Sequence, residues 1–294
     1  MSTVKNYLSL VKFSHTIFAM PFALIGFVLG IAALKNNNIH LQTNEVVIRF
    51  CLVLVCMITA RSAAMGFNRY LDRHFDQLNP RTAIREIPAG IIKAEKALGF
   101  VIVNALVFII ATYFINPICF YLAPVALFVI LFYSYTKRFT YLCHLVLGVG
   151  LSLAPIGAYL AVTGVFDILP LLFSFAIIFW VSGFDIIYSL QDAEFDKSLS
   201  LYSMPSHWGV KKALGISRVF HFFSGVFLWT AYFIGGFHWL YLIGLLVFNI
   251  LLLYQQSIVK PNDLSKVNLA FMTANGIASI VFSIFVITGI ILSI

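Results

Sequence analysis

Apolar residues recur in long unbroken runs rather than in the 3.6-residue or two-residue alternation of half-buried elements. Nine runs reach the roughly 20 residues that a helix needs to cross a hydrocarbon layer about 30 Å thick. They cover residues 13–34, 46–66, 94–115, 117–135, 141–163, 168–190, 212–233, 237–258 and 267–293. The pattern predicts an all-α integral membrane protein with nine transmembrane helices. Transmembrane β-strands, which are short and alternating, are excluded. Pro21, Pro124 and Pro155 fall inside runs, where proline is expected to kink a helix. The first run lacks a small-residue cleavage site and reads as a retained span. Only 67–93 and 191–211 are long polar stretches, so residues 1–294 read as a single transmembrane domain.

Composition sharpens this picture. The chain is 61% hydrophobic and 10% charged, against about 25% charged for an ordinary soluble domain. A water-exposed globule and a disordered chain are both ruled out. A net charge of +8 would suggest nucleic acid in a soluble protein, but no long basic run is present and no nucleic-acid partner is expected. Here the basic residues report topology instead. Most of the 19 Lys and Arg residues lie in or beside the N-terminal segment and the connections after spans two, four, six and eight; Lys35 alone marks the other face. The N-terminus is therefore expected in the cytoplasm and the C-terminus outside. The four cysteines, Cys51, Cys56, Cys119 and Cys143, show no CxxC spacing and read as small core hydrophobes.

Acidic residues concentrate on the predicted cytoplasmic side, in two clusters. Asn68, Asp72 and Asp76 follow at i, i+4 and i+8, a ridge drifting about 40° and rising about 6 Å per step on one helix. Asp192 and Asp196 each fall within about 20° of Asp185 if the sixth span continues as an α-helix. Two acidic ridges ending corresponding spans suggest two four-helix units plus one further helix. Stacked like charges repel, so a solvated helix end paired with nearby bases is the plainer reading of one cluster. Two clusters on membrane-embedded helices favour a functional reading. Hard oxygen donors suit Mg²⁺, which takes one or two carboxylates and completes its shell with water and phosphate. Arg81, Arg85, Lys137 and Lys197 on the same side could hold the remaining phosphate oxygens. Tyr133 lies four residues before Lys137, on the same face. Arg61, about two turns deeper than Asn68, needs either an anionic ligand or a carboxylate such as Asp185. No Walker, Rossmann, HExxH or GxSxG pattern is present.

Taken with their surroundings, these residues resemble the UbiA superfamily of membrane prenyltransferases. Asn68-x-x-x-Asp72-x-x-x-Asp76, with Asn79-Pro-Arg-Thr-x-x-Arg85 and Ile87-Pro-Ala-Gly90, resembles its first signature. Tyr188-x-x-Gln191-Asp192-x-Glu-x-Asp196, with Tyr202-Ser-Met-Pro205, resembles its second, and Tyr133-x-x-x-Lys137 its intervening motif. The likeness is greatest to 4-hydroxybenzoate polyprenyltransferases and close bacterial relatives. Arg69 and Glu86 depart from the pattern, standing where many members have Asp and Pro. Glu86 is typical of a subgroup whose acceptor is another aromatic acid, such as a naphthoate of a menaquinone route.

The resemblance implies Mg²⁺-dependent transfer of a polyprenyl group from its diphosphate to the ring of an aromatic acid, 4-hydroxybenzoate first, in quinone biosynthesis. It implies Asp72, Asp76, Asp192, Asp196 and Lys137 as catalytic residues, with Asn68 joining the four aspartates as metal ligands. Arg81, Arg85, Lys197, Tyr133 and Tyr188 would line the substrates. Arg61 and Lys12 would hold the acceptor carboxylate, and Asp185 would orient its hydroxyl or pair with Arg61. The expected setting is a bacterial-type inner membrane, with a central pocket open to lipid and the site at the cytoplasmic face. The rivals are an ion-coupled transporter, whose polar groups would sit nearer the bilayer middle, and a CDP-alcohol phosphotransferase, whose Asp-Gly…Ala-Arg pattern is missing.

Overall fold

The computed structural model describes residues 3–12 and 18–294. Its helices are α1 (Thr3–Leu10), α2 (Met20–Asn36), α3 (Thr43–Leu78), α4 (Ala94–Ile115), α5 (Pro117–Thr136), α6 (Cys143–Thr163), α7 (Ile168–Ser189), α8 (Ala193–Ser198), α9 (Met204–Gly235), α10 (Leu240–Ile258) and α11 (Asn275–Ser293). A 3₁₀ turn over Leu190–Asp192 joins α7 to α8, and a π-helical turn over Leu269–Ala274 leads into α11. Among the described residues, α3 to α7 and α9 to α11 are eight helices long and apolar enough to cross a membrane. The 17-residue α2 is a ninth, shorter apolar helix. The fold is all-α and multi-pass, as the apolar runs predict. Residues 13–17 of the first predicted span, His15 among them, lie outside the described residues.

Several boundaries differ from the hydropathy reading, each for a local reason. Helix α3 runs 12 residues past the predicted end of span two, because Arg, Asp and Gln are compatible with a helix although not with lipid. Helix α9 starts at Met204 rather than 212, where Ser203 accepts from the Ser206 amide in a capping box; Gly209, at φ 78, kinks it. Pro21 occupies the first turn of α2, where it costs no hydrogen bond, so it opens the helix instead of kinking it. Asn116, fully extended, separates α4 from α5. Of the cysteines, Cys143 is buried but Cys51 is exposed on an apolar flank of α3 rather than in a core.

The chain forms two compact units. One comprises Met1–Thr16 and Ile48–Tyr135, and holds three long spans; the other comprises Ile17–Val47 and Thr136–Ile294, and holds the remaining six apolar helices. This partition replaces the two four-helix units plus one helix suggested by the acidic ridges. Packing explains it, since α2 lies against α6 and α11 within the second unit. Gly26 permits that approach: a Cβ there would collide with the Pro155 carbonyl. Gly26→Val is expected to lower stability by about 1–3 kcal/mol through overpacking, read as a fall in the melting temperature in detergent. Gly157→Ala, which meets open space, should serve as a near-neutral control.

The core of the second unit is aromatic. Phe22, Phe173, Trp180, Tyr241, Phe248 and Phe282 are all fully enclosed, and Trp180 Nε1 donates to Asn275 Oδ1 at 2.8 Å. In the first unit, α4 and α5 leave Ile102, Leu106, Ile110, Phe114, Val125 and Phe128 exposed. Exposed apolar residues in such number on a soluble protein would drive association; on membrane-crossing helices they suit contact with lipid.

Candidate active site

In the first unit, the acidic segment is carried on the unbroken 36-residue helix α3, so Asn68, Asp72 and Asp76 keep the single ridge that their spacing predicts. Asn68 Nδ2 donates to Asp72 Oδ2 at 3.0 Å. Beyond the helix the chain turns at Asn79, whose side chain accepts from the Arg81 amide at 2.9 Å. Its carbonyl accepts from the amides of Thr82 and Ala83. Thr82 Oγ1 donates to the Asp76 carbonyl at 3.1 Å. This compact turn brings Arg85 back to the ridge, where its Nη1 lies 2.5 Å from Asp76 Oδ1. Asp76 is buried, and its second oxygen, Oδ2, has no hydrogen-bond partner. Arg81 is exposed.

Deeper on the same helix, Arg61 Nη2 donates to the carbonyl of Lys12 at 3.3 Å, while its buried Nε has no partner. Lys12 is exposed and takes a left-handed conformation, φ 46, which is uncommon outside glycine. Glu86 is buried and accepts from Ser9 Oγ at 2.5 Å, tying α1 to the loop after the acidic ridge. Tyr133 is half-buried near the end of α5.

In the second unit, the assumption of one continuous helix fails. Helix α7 stops at Ser189 and the chain tightens into the 3₁₀ turn before α8 begins. Three residues per turn replace 3.6 across this break, so Asp185 does not share a regular ridge with Asp192 and Asp196. Asp192 is 9% exposed and Asp196 fully enclosed. Lys137 Nζ lies 2.6 Å from Asp196 Oδ1. The Lys137 carbonyl accepts from the Tyr202 amide at 2.7 Å, so the loops after α5 and α8 are fastened together. Burial by itself would lower the Lys137 pKa, but the carboxylates of Asp196 and Asp192 hold it above the ordinary lysine value. Tyr188 stacks on Phe271 with ring centroids 4.2 Å apart, and Lys197 is exposed.

Asp185 has a partner that sequence reading did not name. His144 Nδ1 lies 2.7 Å from Asp185 Oδ2. The available signal was a histidine opening the fifth span, at the same predicted membrane edge as Asp185.

Among the described residues no three His, Cys, Asp or Glu side chains gather into a metal cage. The donors offered are instead small sets of hard oxygens, and Asp76 Oδ2 is one buried oxygen left over after its ion pair. That set fits a cation such as Mg²⁺, which takes few protein ligands and keeps its other positions for water and phosphate. It does not fit a fully protein-bound structural metal.

The sequence model of the UbiA prenyltransferase family matches residues 19–277. The chain belongs to this family. It is similar to the 4-hydroxybenzoate octaprenyltransferase of Tolumonas auensis, at 28% identity over 80% of this chain and 82% of that protein. The Vesicomyosocius okutanii protein of the same name is 27% identical over 81% of this chain and 85% of its own length. A UbiA homolog from Aeropyrum pernix K1 has the same fold, with a TM-score of 0.78 and 26% identity, covering 95% of this chain and 98% of its own. A UbiA homolog from Archaeoglobus fulgidus, solved bound to GPP and Mg²⁺, shares the fold at a TM-score of 0.68 and 19% identity, over 97% of this chain and 99% of its own. This UbiA-family protein is therefore an enzyme, a prenyltransferase. The ion-coupled transporter that intramembrane carboxylates also suggest is set aside.

Proposed function

We propose that this prenyltransferase moves a polyprenyl group from a polyprenyl diphosphate to a ring carbon of an aromatic acid, with Mg²⁺ as cofactor and 4-hydroxybenzoate as the first acceptor to test. The observation that carries the reading is a pair of buried aspartates at the ends of apolar spans, each closed by a base: Asp76 by Arg85 and Asp196 by Lys137. Buried carboxylates with cationic partners supply both signs of charge that a metal–diphosphate substrate needs. The names of the curated relatives and the GPP and Mg²⁺ of the Archaeoglobus fulgidus homolog support the same substrates.

In this reading Asn68, Asp72, Asp76, Asp192 and Asp196 would hold Mg²⁺. When bound, it neutralises the charge that gathers on the departing diphosphate. Arg85 and Lys137, and with them the exposed Arg81 and Lys197, would add positive charge to the diphosphate oxygens. Tyr133 and Tyr188 contribute aromatic surface for the substrates. Arg61, whose buried Nε has no partner, would hold the acceptor carboxylate together with Lys12, whose carbonyl it contacts. The apolar helices keep the isoprenoid tail in lipid, at about 0.8 kcal/mol per buried CH₂, and exclude water from the allylic cation. The site faces the cytoplasm, with the N-terminus inside and the C-terminus outside. A C-terminal reporter should be active only on the outer side of the membrane; cytoplasmic activity would overturn the orientation.

The deciding assay supplies membranes containing the protein with Mg²⁺, geranyl diphosphate and a panel of hydroxylated aromatic acids, and identifies products by mass. A prenylated 4-hydroxybenzoate is expected. Glu86, buried against Ser9, keeps a hydroxynaphthoate in the panel, and product on that acid alone would move the acceptor to the fused-ring class. No prenylated acid of either kind would remove the reading. Arg61→Ala is expected to raise the KM for the acid about tenfold or more, the equivalent of a hydrogen bond to a charged group, and to leave the KM for the diphosphate unchanged.

A further inference from the structure

Three elements of the second unit converge on one buried histidine. His144 sits in the first turn of α6 with its side chain 3% exposed. The Met204 amide, in the first turn of α9, donates to its Nε2 at 3.3 Å. Nε2 therefore presents its lone pair, and the ring proton of the neutral imidazole stands on Nδ1. Nδ1–H donates to Asp185 Oδ2 at 2.7 Å. The backbone of His144 is fixed as well. Its carbonyl accepts from Ser182 Oγ at 3.1 Å, one turn before Asp185 on α7. One turn further along α6, Gly148 lets the two helices close up, since a Cβ there would collide with the Ile178 carbonyl.

Asp185 differs from its partner in one respect: its side chain retains 22% exposure. One carboxylate oxygen is held by a rigid donor, and the group as a whole remains reachable. Tyr188, three residues on and on the same helix face, is half-buried and stacked on Phe271. An open carboxylate beside a flat aromatic surface suits a phenol.

Resting on the function proposed above, we infer that His144 is a positioning residue for the acceptor. It selects the orientation in which Asp185 accepts a hydrogen bond from the acceptor hydroxyl. That bond raises electron density at the neighbouring ring carbon, which bonds to the prenyl group as the prenyl–diphosphate C–O bond breaks. The proton that this ring carbon then loses leaves with the diphosphate. The Nδ1 proton stays in its bond to Asp185 throughout, so His144 itself exchanges nothing with the substrates.

Two substitutions separate this role from mere helix fastening, because each keeps one of the two ring contacts. In His144→Asn the amide nitrogen stands near the Nδ1 position and still donates to Asp185, while the bond from Met204 is lost. In His144→Gln the amide oxygen stands near Nε2 and still accepts from Met204, while Asp185 loses its donor. With geranyl diphosphate and 4-hydroxybenzoate, compared at equal amounts of membrane-inserted protein, His144→Asn should turn over close to the parent enzyme. His144→Gln should lose about a hundredfold in kcat, the scale of a misplaced reacting group, with the KM for geranyl diphosphate unchanged. The reverse ranking would assign His144 to holding α6 and α9 together and overturn the inference. Equal loss in both variants, or equal retention, overturns it too. Absence of any prenylated acid from the parent enzyme would instead remove the function on which it rests.

Discussion

Asp192→Ala is expected to abolish prenyl transfer, lowering kcat by roughly a thousandfold or more, without disturbing insertion into the membrane. Asp192 sits in the 3₁₀ turn after α7, 9% exposed, outside the aromatic core. Its replacement removes charge rather than packing. A carboxylate that only decorated a helix end would be worth a few tenths of a kcal/mol and would leave turnover almost intact. The measurement is mass-resolved product formation across a Mg²⁺ titration. Loss that added Mg²⁺ does not restore is the expected result; unchanged turnover with an unchanged Mg²⁺ requirement would sink the metal assignment. Asp72→Ala should behave in the same way, tested separately, because Asp72 belongs to the other compact unit and is held by Asn68.

The second large effect concerns Lys137, where stability and activity can be pulled apart. Lys137→Ala leaves Asp196 fully enclosed with its countercharge gone. With Lys137 itself 36% exposed, breaking the pair costs about 1–2 kcal/mol, between the values for exposed and fully buried pairs. The fastening of the loop at Tyr202, which uses the Lys137 backbone, survives. Adding Asp196→Asn removes the stranded charge and should recover most of the lost thermal stability. Activity should not recover, because the double variant has lost both a base for the diphosphate and a carboxylate for the metal. Melting temperature in detergent reads the first effect, and kcat at saturating geranyl diphosphate the second. A double variant with restored turnover would make the pair a structural tie and remove Lys137 from the catalytic set.

Much of the candidate site was legible because its signals are local. Asn68, Asp72 and Asp76 are spaced for one helix face, and α3 keeps them there. The same arithmetic misjudged Asp185, Asp192 and Asp196, because it assumed a helix that stops at Ser189. Hydropathy marks where lipid ends, not where a helix ends, which is why α3 and α9 overrun their predicted spans. His144 escaped notice because a lone histidine at the start of an apolar run carries no pattern until its partner, 41 residues away, is brought against it.

By itself, the order of residues determined an all-helical, multi-pass membrane protein with the motifs of a prenyltransferase. Span length and i, i+4 spacing depend only on near neighbours and the thickness of a bilayer. Tertiary structure alone decided which base closes each acid: Arg85 on Asp76, Lys137 on Asp196, His144 on Asp185. It also decided that α2 joins the later helices, through Gly26 against Pro155. These choices turn on distances of a few ångströms between residues remote in sequence. Coulomb and packing energies change steeply over that range, and a pattern of residue types does not encode it.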